Sequence, residues 1–313
     1  MKVFMNFAKG FINTGKTTRM VLLLFVVNLF FSIILALPMY HSLKDSFGSS
    51  KVGDRMAEGF DYLWWQEFRD ESQGLERTFS PSILGKGAIL NNLEGLIQMR
   101  FFRLPLPVLI MGLLYIILHT FLAGGILFTF NQDTLKFKMK KFFNGSGTYF
   151  FRFLLLLLIS SVILFTLVAI LDYGFNLIMD NVQKDSLSEI TPFYYNLGFS
   201  MIIFFLLLFF QMVFDYARIK IVLEDRRDVL KTVFQAFGFV FRRPFSTLGL
   251  YYLIFLIQVA ITIGYIFLKE SIPQSDWPFV LVAFFIQQLF IFLIIWLRCL
   301  LYSSQMELYR YLK

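Results

Sequence analysis

Long apolar runs separated by short polar ones set the pattern of this chain. A transmembrane helix needs about 20 mainly apolar residues. Six stretches approach or exceed that length: Met20–Tyr40, Leu104–Phe130, Phe153–Leu171, Leu197–Val213, Leu248–Leu268 and Trp277–Leu297. Phe and Leu dominate them, without the short alternating segments of a membrane β-barrel. The pattern predicts an all-α polytopic membrane protein with six transmembrane helices in three hairpins. It reads as a single integral membrane domain over residues 1–313, with residues 41–103 as the one sizeable segment on the outer side.

Between the runs, the apolar spacing becomes helical and one-sided. Val229, Leu230, Val233, Phe234, Phe237 and Phe241 recur at helical intervals, and Arg227, Asp228, Lys231 and Gln235 fall on the other side. That predicts a basic amphipathic helix over 228–241, suited to lying in a membrane interface. Arg242, Arg243 and Pro244 end it. Phe4, Phe7, Ala8, Phe11 and Ile12 give Met1–Arg19 the same reading. In the 41–103 segment, Phe60, Trp64 and Phe68, flanked by Leu63 and Trp65, predict a short amphipathic helix, and paired Trp residues favour an interfacial seat. Ile89, Leu90, Leu93, Leu96 and Ile97 predict a second one.

Three lead-ins to spans resemble one another. They are Phe11-Ile12-Asn13-Thr14-Gly15, Phe142-Phe143-Asn144-Gly145-Ser146 and Val240-Phe241-Arg242-Arg243-Pro244. Each is an apolar pair, then a polar or helix-breaking turn, then a span. Leu135–Lys141 and Ile219–Lys231 both leave a span as basic segments. The chain thus reads as three units of interfacial helix plus hairpin.

Charge fixes an orientation. Of the 29 Lys and Arg residues, 19 fall in the N-terminal segment, the 131–152 and 214–247 connections and the C-terminal end. The acidic residues divide the other way. Cytoplasmic loops carry the excess of Lys and Arg, so both termini are expected in the cytoplasm. The net charge of +8 reads as attraction to anionic headgroups, and nucleic acid is not needed to explain it. At 58% hydrophobic and 16% charged residues, the composition lies far from that of a soluble domain, which averages about 25% charged.

Candidate chemistry is sparse. Gly10-Phe11-Ile12-Asn13-Thr14-Gly15-Lys16-Thr17 matches the phosphate-loop pattern, but no strand precedes it and the following helix is apolar, so no nucleotide is expected there. Cys299 is the only cysteine and His41 and His119 the only histidines, which excludes an intrachain disulfide and a Cys- or His-rich metal site. Glu67, Asp70 and Glu71 read as a solvated polar face. Asp215 and Arg218, three apart at a span boundary, are spaced to pair on one helix face. His119, Gln258, Gln287 and Gln288 are the polar residues within spans that would form a mid-membrane site. No nucleophile–base or metal constellation appears, so no catalytic residue, metal or cofactor is expected.

The run from Asp215-Tyr216-Ala217-Arg218 through Glu224-Asp225, Val229-Leu230 and Ala236-Phe237 to Arg242-Arg243-Pro244 resembles a pattern in uncharacterised bacterial six-helix integral membrane proteins. It is also similar to the membrane domain attached to some glycerophosphodiester phosphodiesterases. The resemblance covers the last third of the chain well and the rest by layout. It implies a multi-pass protein of the bacterial cytoplasmic (inner) membrane without a catalytic centre of its own. It does not extend to the soluble phosphodiesterase domain, whose activity is not carried over.

The expected function is a non-enzymatic scaffold or accessory subunit. It would bind membrane lipids by their anionic headgroups, and a protein partner on the cytoplasmic side, through the basic surface of Arg227, Lys231, Arg242 and Arg243. The alternative is a transporter or permease subunit using His119, Gln258, Gln287 and Gln288. A membrane enzyme acting on lipid or peptidoglycan precursors is the weakest reading.

Overall fold

The computed structural model describes residues 2–48, 52, 60–79, 104–132, 134–185, 190–272 and 277–313. Its helices are α1 (Lys2–Lys16), α2 (Thr18–Phe47), α3 (Tyr62–Glu71), α4 (Leu106–Phe130), α5 (Met139–Asp185), α6 (Ile190–Leu223), α7 (Val229–Arg242), α8 (Pro244–Glu270) and α9 (Trp277–Leu312). Six of them, α2, α4, α5, α6, α8 and α9, are long and apolar enough to cross a membrane. The protein is an all-helical, polytopic membrane protein with amphipathic helices between its spans. The second amphipathic helix expected at Ile89–Ile97 lies outside the described residues.

In the first lead-in, Asn13, Thr14 and Gly15 are helical and the break comes later, at Thr17 between α1 and α2. Another breaks where expected, at Arg243 between α7 and α8. Pro244 then opens α8, where its missing N–H leaves no intrahelical bond unmade. The third lead-in differs. The polar turn expected at Asn144-Gly145-Ser146-Gly147 is helical, and α5 runs unbroken for 47 residues. Packing overrides the weak helix propensity of Gly and Asn. A Cβ on Gly145 would overlap the Phe128 ring, and one on Gly124 would sit 3.2 Å from the Ser146 backbone. Small residues on both helices thus let α4 and α5 approach closely.

The turn comes earlier, in the extended residues 135–138. Leu135 and Phe137 are half-buried there, and Lys136 and Lys138 are exposed, as side chains alternate on extended backbone. The outer connection expected over Asp172–Asn196 is also largely helical. α5 continues to Asp185 and α6 starts at Ile190. At about 1.5 Å per residue, α5 is roughly 70 Å long, more than twice a hydrocarbon core of about 30 Å.

The chain forms two compact units. The first comprises Met1–Lys16, Thr120–Leu253 and Leu300–Lys313. Its centre is the last part of α6, where Met212–Ala217, Ile219, Ile221 and Val222 are buried. α5 and α7 pack on α6. The end of α9 is buried continuously from Leu300 to Met306, and α1 lies directly on it. A Cβ on Gly10 would stand 2.8 Å from the Ser304 backbone.

The second unit comprises Thr17–His119 and Ile254–Cys299. Aromatic contacts recur within it. Tyr265 stacks on Phe290 at 4.2 Å, and Phe25 meets Phe292 edge-on. Tyr115 donates a hydrogen bond to Asn28. Asp61 caps α3 through the Trp64 N–H. Val52, Trp64 and Phe68 form a small core with Leu43 and Phe47 of α2, and Trp64 Nε1 donates to Ser46 Oγ at 3.0 Å.

Candidate functional site

The amphipathic helices of the first unit have three faces, not two. On α7, Val229, Thr232, Val233, Ala236 and Val240 are buried. Leu230, Phe234 and Phe241 belong to the apolar stripe read from the sequence, yet they stand exposed. Lys231 and Arg242 occupy the remaining sector and are exposed too. At about 100° per residue, the order around the helix is protein-facing, exposed aromatic, then basic. α1 repeats it. Asn6, Gly10 and Thr14 are buried, Phe4, Phe11 and Ile12 are exposed, and Lys2, Lys9 and Lys16 follow. The first turns of α5 repeat it again. Phe142, Ser146 and Tyr149 are buried, Met139 and Phe143 are exposed, and Asn144, Lys140 and Lys141 complete the circle. The circular order is the same in all three.

The buried faces carry small or back-bonded residues. Thr14 donates to the Gly10 carbonyl and Thr232 to that of Asp228, which satisfies each hydroxyl within its own helix. α1 is helical from Lys2 to Lys16, so the Gly10–Lys16 stretch that a phosphate loop would need as a loop spends its N–H groups on the helix.

A polar seam runs between α6 and the end of α9. Arg218 Nη1 lies 3.0 Å from Asp215 Oδ1 and 3.1 Å from the Tyr302 hydroxyl. Asp215 is fully buried and Arg218 nearly so. Two turns on, Glu224 accepts from the Tyr309 hydroxyl at 2.7 Å, Lys313 Nζ at 2.9 Å and Arg226 Nε at 2.9 Å. Burial alone would push the Glu224 carboxyl up, but the hydrogen bonds from Lys313, Tyr309 and Arg226 hold it down at about 2. Next to it, Asp225 has φ +45°, a region few non-glycine residues adopt. Arg152 of α5 pairs with its carboxylate and donates to the Arg226 carbonyl, which keeps the Asp225 carboxyl below its usual range. Between the two rungs, the fully buried Gln305 has no protein partner for either amide atom.

Sequence reasoning anticipated the Asp215–Arg218 pair but missed the rest of the seam, although Tyr302, Gln305 and Tyr309 stand at helical spacing within an otherwise apolar face.

The remaining sequence-derived residues lie outside this seam. His119, Gln258 and Gln287 are exposed and Gln288 is half-buried, all in the second unit. No hydrogen bond joins any two of these four side chains among the described residues. Arg227 and Arg243 are exposed beside α7. Glu67, Asp70 and Glu71 are exposed on α3. No group of three or more His, Cys, Asp or Glu able to hold a metal occurs among the described residues.

A second polar feature lies where α1, the end of α4 and the end of α9 meet. It is a cleft of about 610 Å³ lined by Lys9, Ile12, Asn13, Asn131, Gln132, Glu307 and Arg310, among others. No known protein family, curated protein or solved structure matches this chain.

Proposed function

We propose that this protein is a non-enzymatic scaffold or accessory subunit of the bacterial cytoplasmic membrane, with both termini in the cytoplasm. It works through its basic, aromatic-bearing helices, which hold anionic lipid and present a docking face to a partner protein. One observation carries the reading. Three separate lead-ins bury one face on the protein, expose aromatic or other apolar side chains on the next and place Lys or Arg beyond it, in the same circular order. That is the geometry of a helix seated at a membrane surface, with rings in the acyl boundary and cations at the headgroups. The excess of Lys and Arg on this side supports the orientation. The resemblance of the 215–244 run to bacterial six-helix membrane proteins supports the compartment. The transporter reading has less support, because no hydrogen bond joins the side chains of His119, Gln258, Gln287 and Gln288 among the described residues.

Arg227, Lys231, Arg242 and Arg243 are the test residues. Each basic residue near an anionic leaflet contributes about 1 kcal/mol. Replacing all four with Gln leaves six apolar spans to secure insertion. The variant is expected to insert normally yet to lose anionic lipid, or a partner, on affinity purification. A variant that inserts and keeps the parent's bound lipids and partners refutes the proposal.

A further inference from the structure

We infer that the cleft between α1, α4 and α9 is a site for a single anionic glycerophospholipid, with its phosphodiester between Lys9 and Arg310. This deepens the lipid-binding reading above and rests on it. Its lining is largely polar and includes the side-chain amides of Asn13, Asn131 and Gln132. It holds two cations against one carboxylate, and that carboxylate is already engaged. Glu307 accepts from Arg310 Nη1 at 2.9 Å and from Asn13 Nδ2 at 3.5 Å.

Arg310 also donates through Nη2 to the Asn131 side chain at 3.0 Å and to the Phe130 carbonyl at 3.4 Å. A guanidinium has five N–H donors, so two remain for a ligand. These contacts fix the guanidinium in place and spare a ligand the entropy of ordering it. Lys9 is exposed and pairs with no carboxylate among the described residues.

The geometry favours a lipid over free phosphate. Ile12 forms part of the wall and is itself exposed, next to the exposed Phe11. The polar lining thus adjoins the aromatic sector of α1, along which acyl chains would lie. Leu135, also in the lining, leads into Lys136 and Lys138, both exposed, which add positive charge close to the cleft in the chain.

Native mass spectrometry of the full-length protein in neutral detergent tests this. After delipidation it is titrated with phosphatidylglycerol, with phosphatidylcholine and with inorganic phosphate. One phosphatidylglycerol is expected to bind first and tightest. Lys9→Gln should weaken that first binding about fivefold, the effect of one basic residue at an anionic surface, and Lys9→Glu should weaken it further. Lys44→Gln, a change of an exposed lysine near the end of α2, outside the cleft and the lead-in helices, should leave it unchanged. Phosphatidylcholine should bind more weakly, and excess phosphate should not displace the lipid.

An unaltered first site in both Lys9 variants overturns the inference. So do an equal loss in Lys44→Gln, equal binding of phosphatidylcholine, and displacement by phosphate, which would make the ligand a free anion. Because Lys9 is exposed, both variants are expected to fold, and elution on size exclusion checks this. The Arg227, Lys231, Arg242 and Arg243 variant does not touch the cleft. Loss of lipid in that variant with an intact first site, or the reverse, separates the two proposals.

Discussion

The two units solve the same problem, packing apolar helices, by different means. In the first, glycine, serine and threonine bring backbones together, as at Gly10 on Ser304 and Gly124 on Ser146. A polar seam there runs from the buried Asp215 to the exposed Lys313. Ring contacts occur in both, as at Phe175 on Phe199 and Tyr265 on Phe290, but no such close glycine contact is seen among the described residues of the second. Glycines such as Gly112 and Gly264 have nothing within 4 Å of a would-be Cβ, and the polar side chains of its spans are mostly exposed. Buried polar networks cost more to break than exposed ones, because each loss strands a partner in low dielectric. The first unit therefore holds fixed side-chain positions, which recognition needs.

The largest expected contrast is steric. Gly10→Leu forces α1 off α9, since even a Cβ meets the Ser304 backbone. Overpacking of a tight contact costs about 1–3 kcal/mol, and a leucine here should exceed that and abolish the detergent-stable monodisperse species. Gly264→Leu meets open space and should leave the thermal midpoint close to that of the parent. Equal losses in fluorescence-detected melting would erase the distinction between the units.

Next is the seam. Asp215→Asn and Arg218→Gln each strand a buried partner, a loss of about 3–5 kcal/mol for a buried pair. The double variant should recover part of it. Strictly additive losses would mean that the two groups do not stabilise each other. Gln287→Leu, at an exposed position of the second unit, should change stability by no more than about 0.5 kcal/mol.

Acid sharpens the comparison. Glu224 ionises at about 2 in the folded protein, against an ordinary value of 4.5. A depressed carboxyl contributes stability that is complete above its unfolded value and is lost as pH falls through its folded one. Stability should therefore decline between pH 4.5 and about 2, with the end of α9 released from the 224–226 turn. Glu224→Gln should be less stable at neutral pH and flatter across that window. An unchanged slope would show that other carboxylates dominate.

Several of these features were legible in the chain and several were not, for physical reasons. Apolar runs long enough to span a membrane mark the six spanning helices, because lipid demands continuous hydrophobicity. The i, i+3 spacing of Asp215 and Arg218 puts them within reach, and they stand 3.0 Å apart. Local propensity misreads Asn144–Gly147, because the glycine that favours a turn in isolation is what lets α5 sit against α4. Periodicity finds the apolar stripe of α7 but cannot say which half of it the protein covers. Val233 and Phe234 are adjacent and equally apolar, yet one is buried and the other exposed. The seam joins residues 84 and 85 positions apart, a pairing no local pattern encodes. The cleft was not legible either, since it takes residues from three distant segments.

The smallest expected effect lies in the second unit. The Tyr115 hydroxyl on α4 donates to Asn28 Oδ1 on α2, and Asn28 Nδ2 donates back to the Leu24 carbonyl at 2.9 Å. This resembles the rungs of the first unit in chemistry, but it lies on an exposed face. Interhelical hydrogen bonds in membrane proteins average about 0.6 kcal/mol, because the separated helices find other partners. Asn28→Leu should therefore lower stability by about that amount, with Tyr115→Phe matching it and the double variant no worse than either single one. A loss approaching that of Asp215→Asn would mean that this bond is as fixed as the seam and that the two units do not differ in kind.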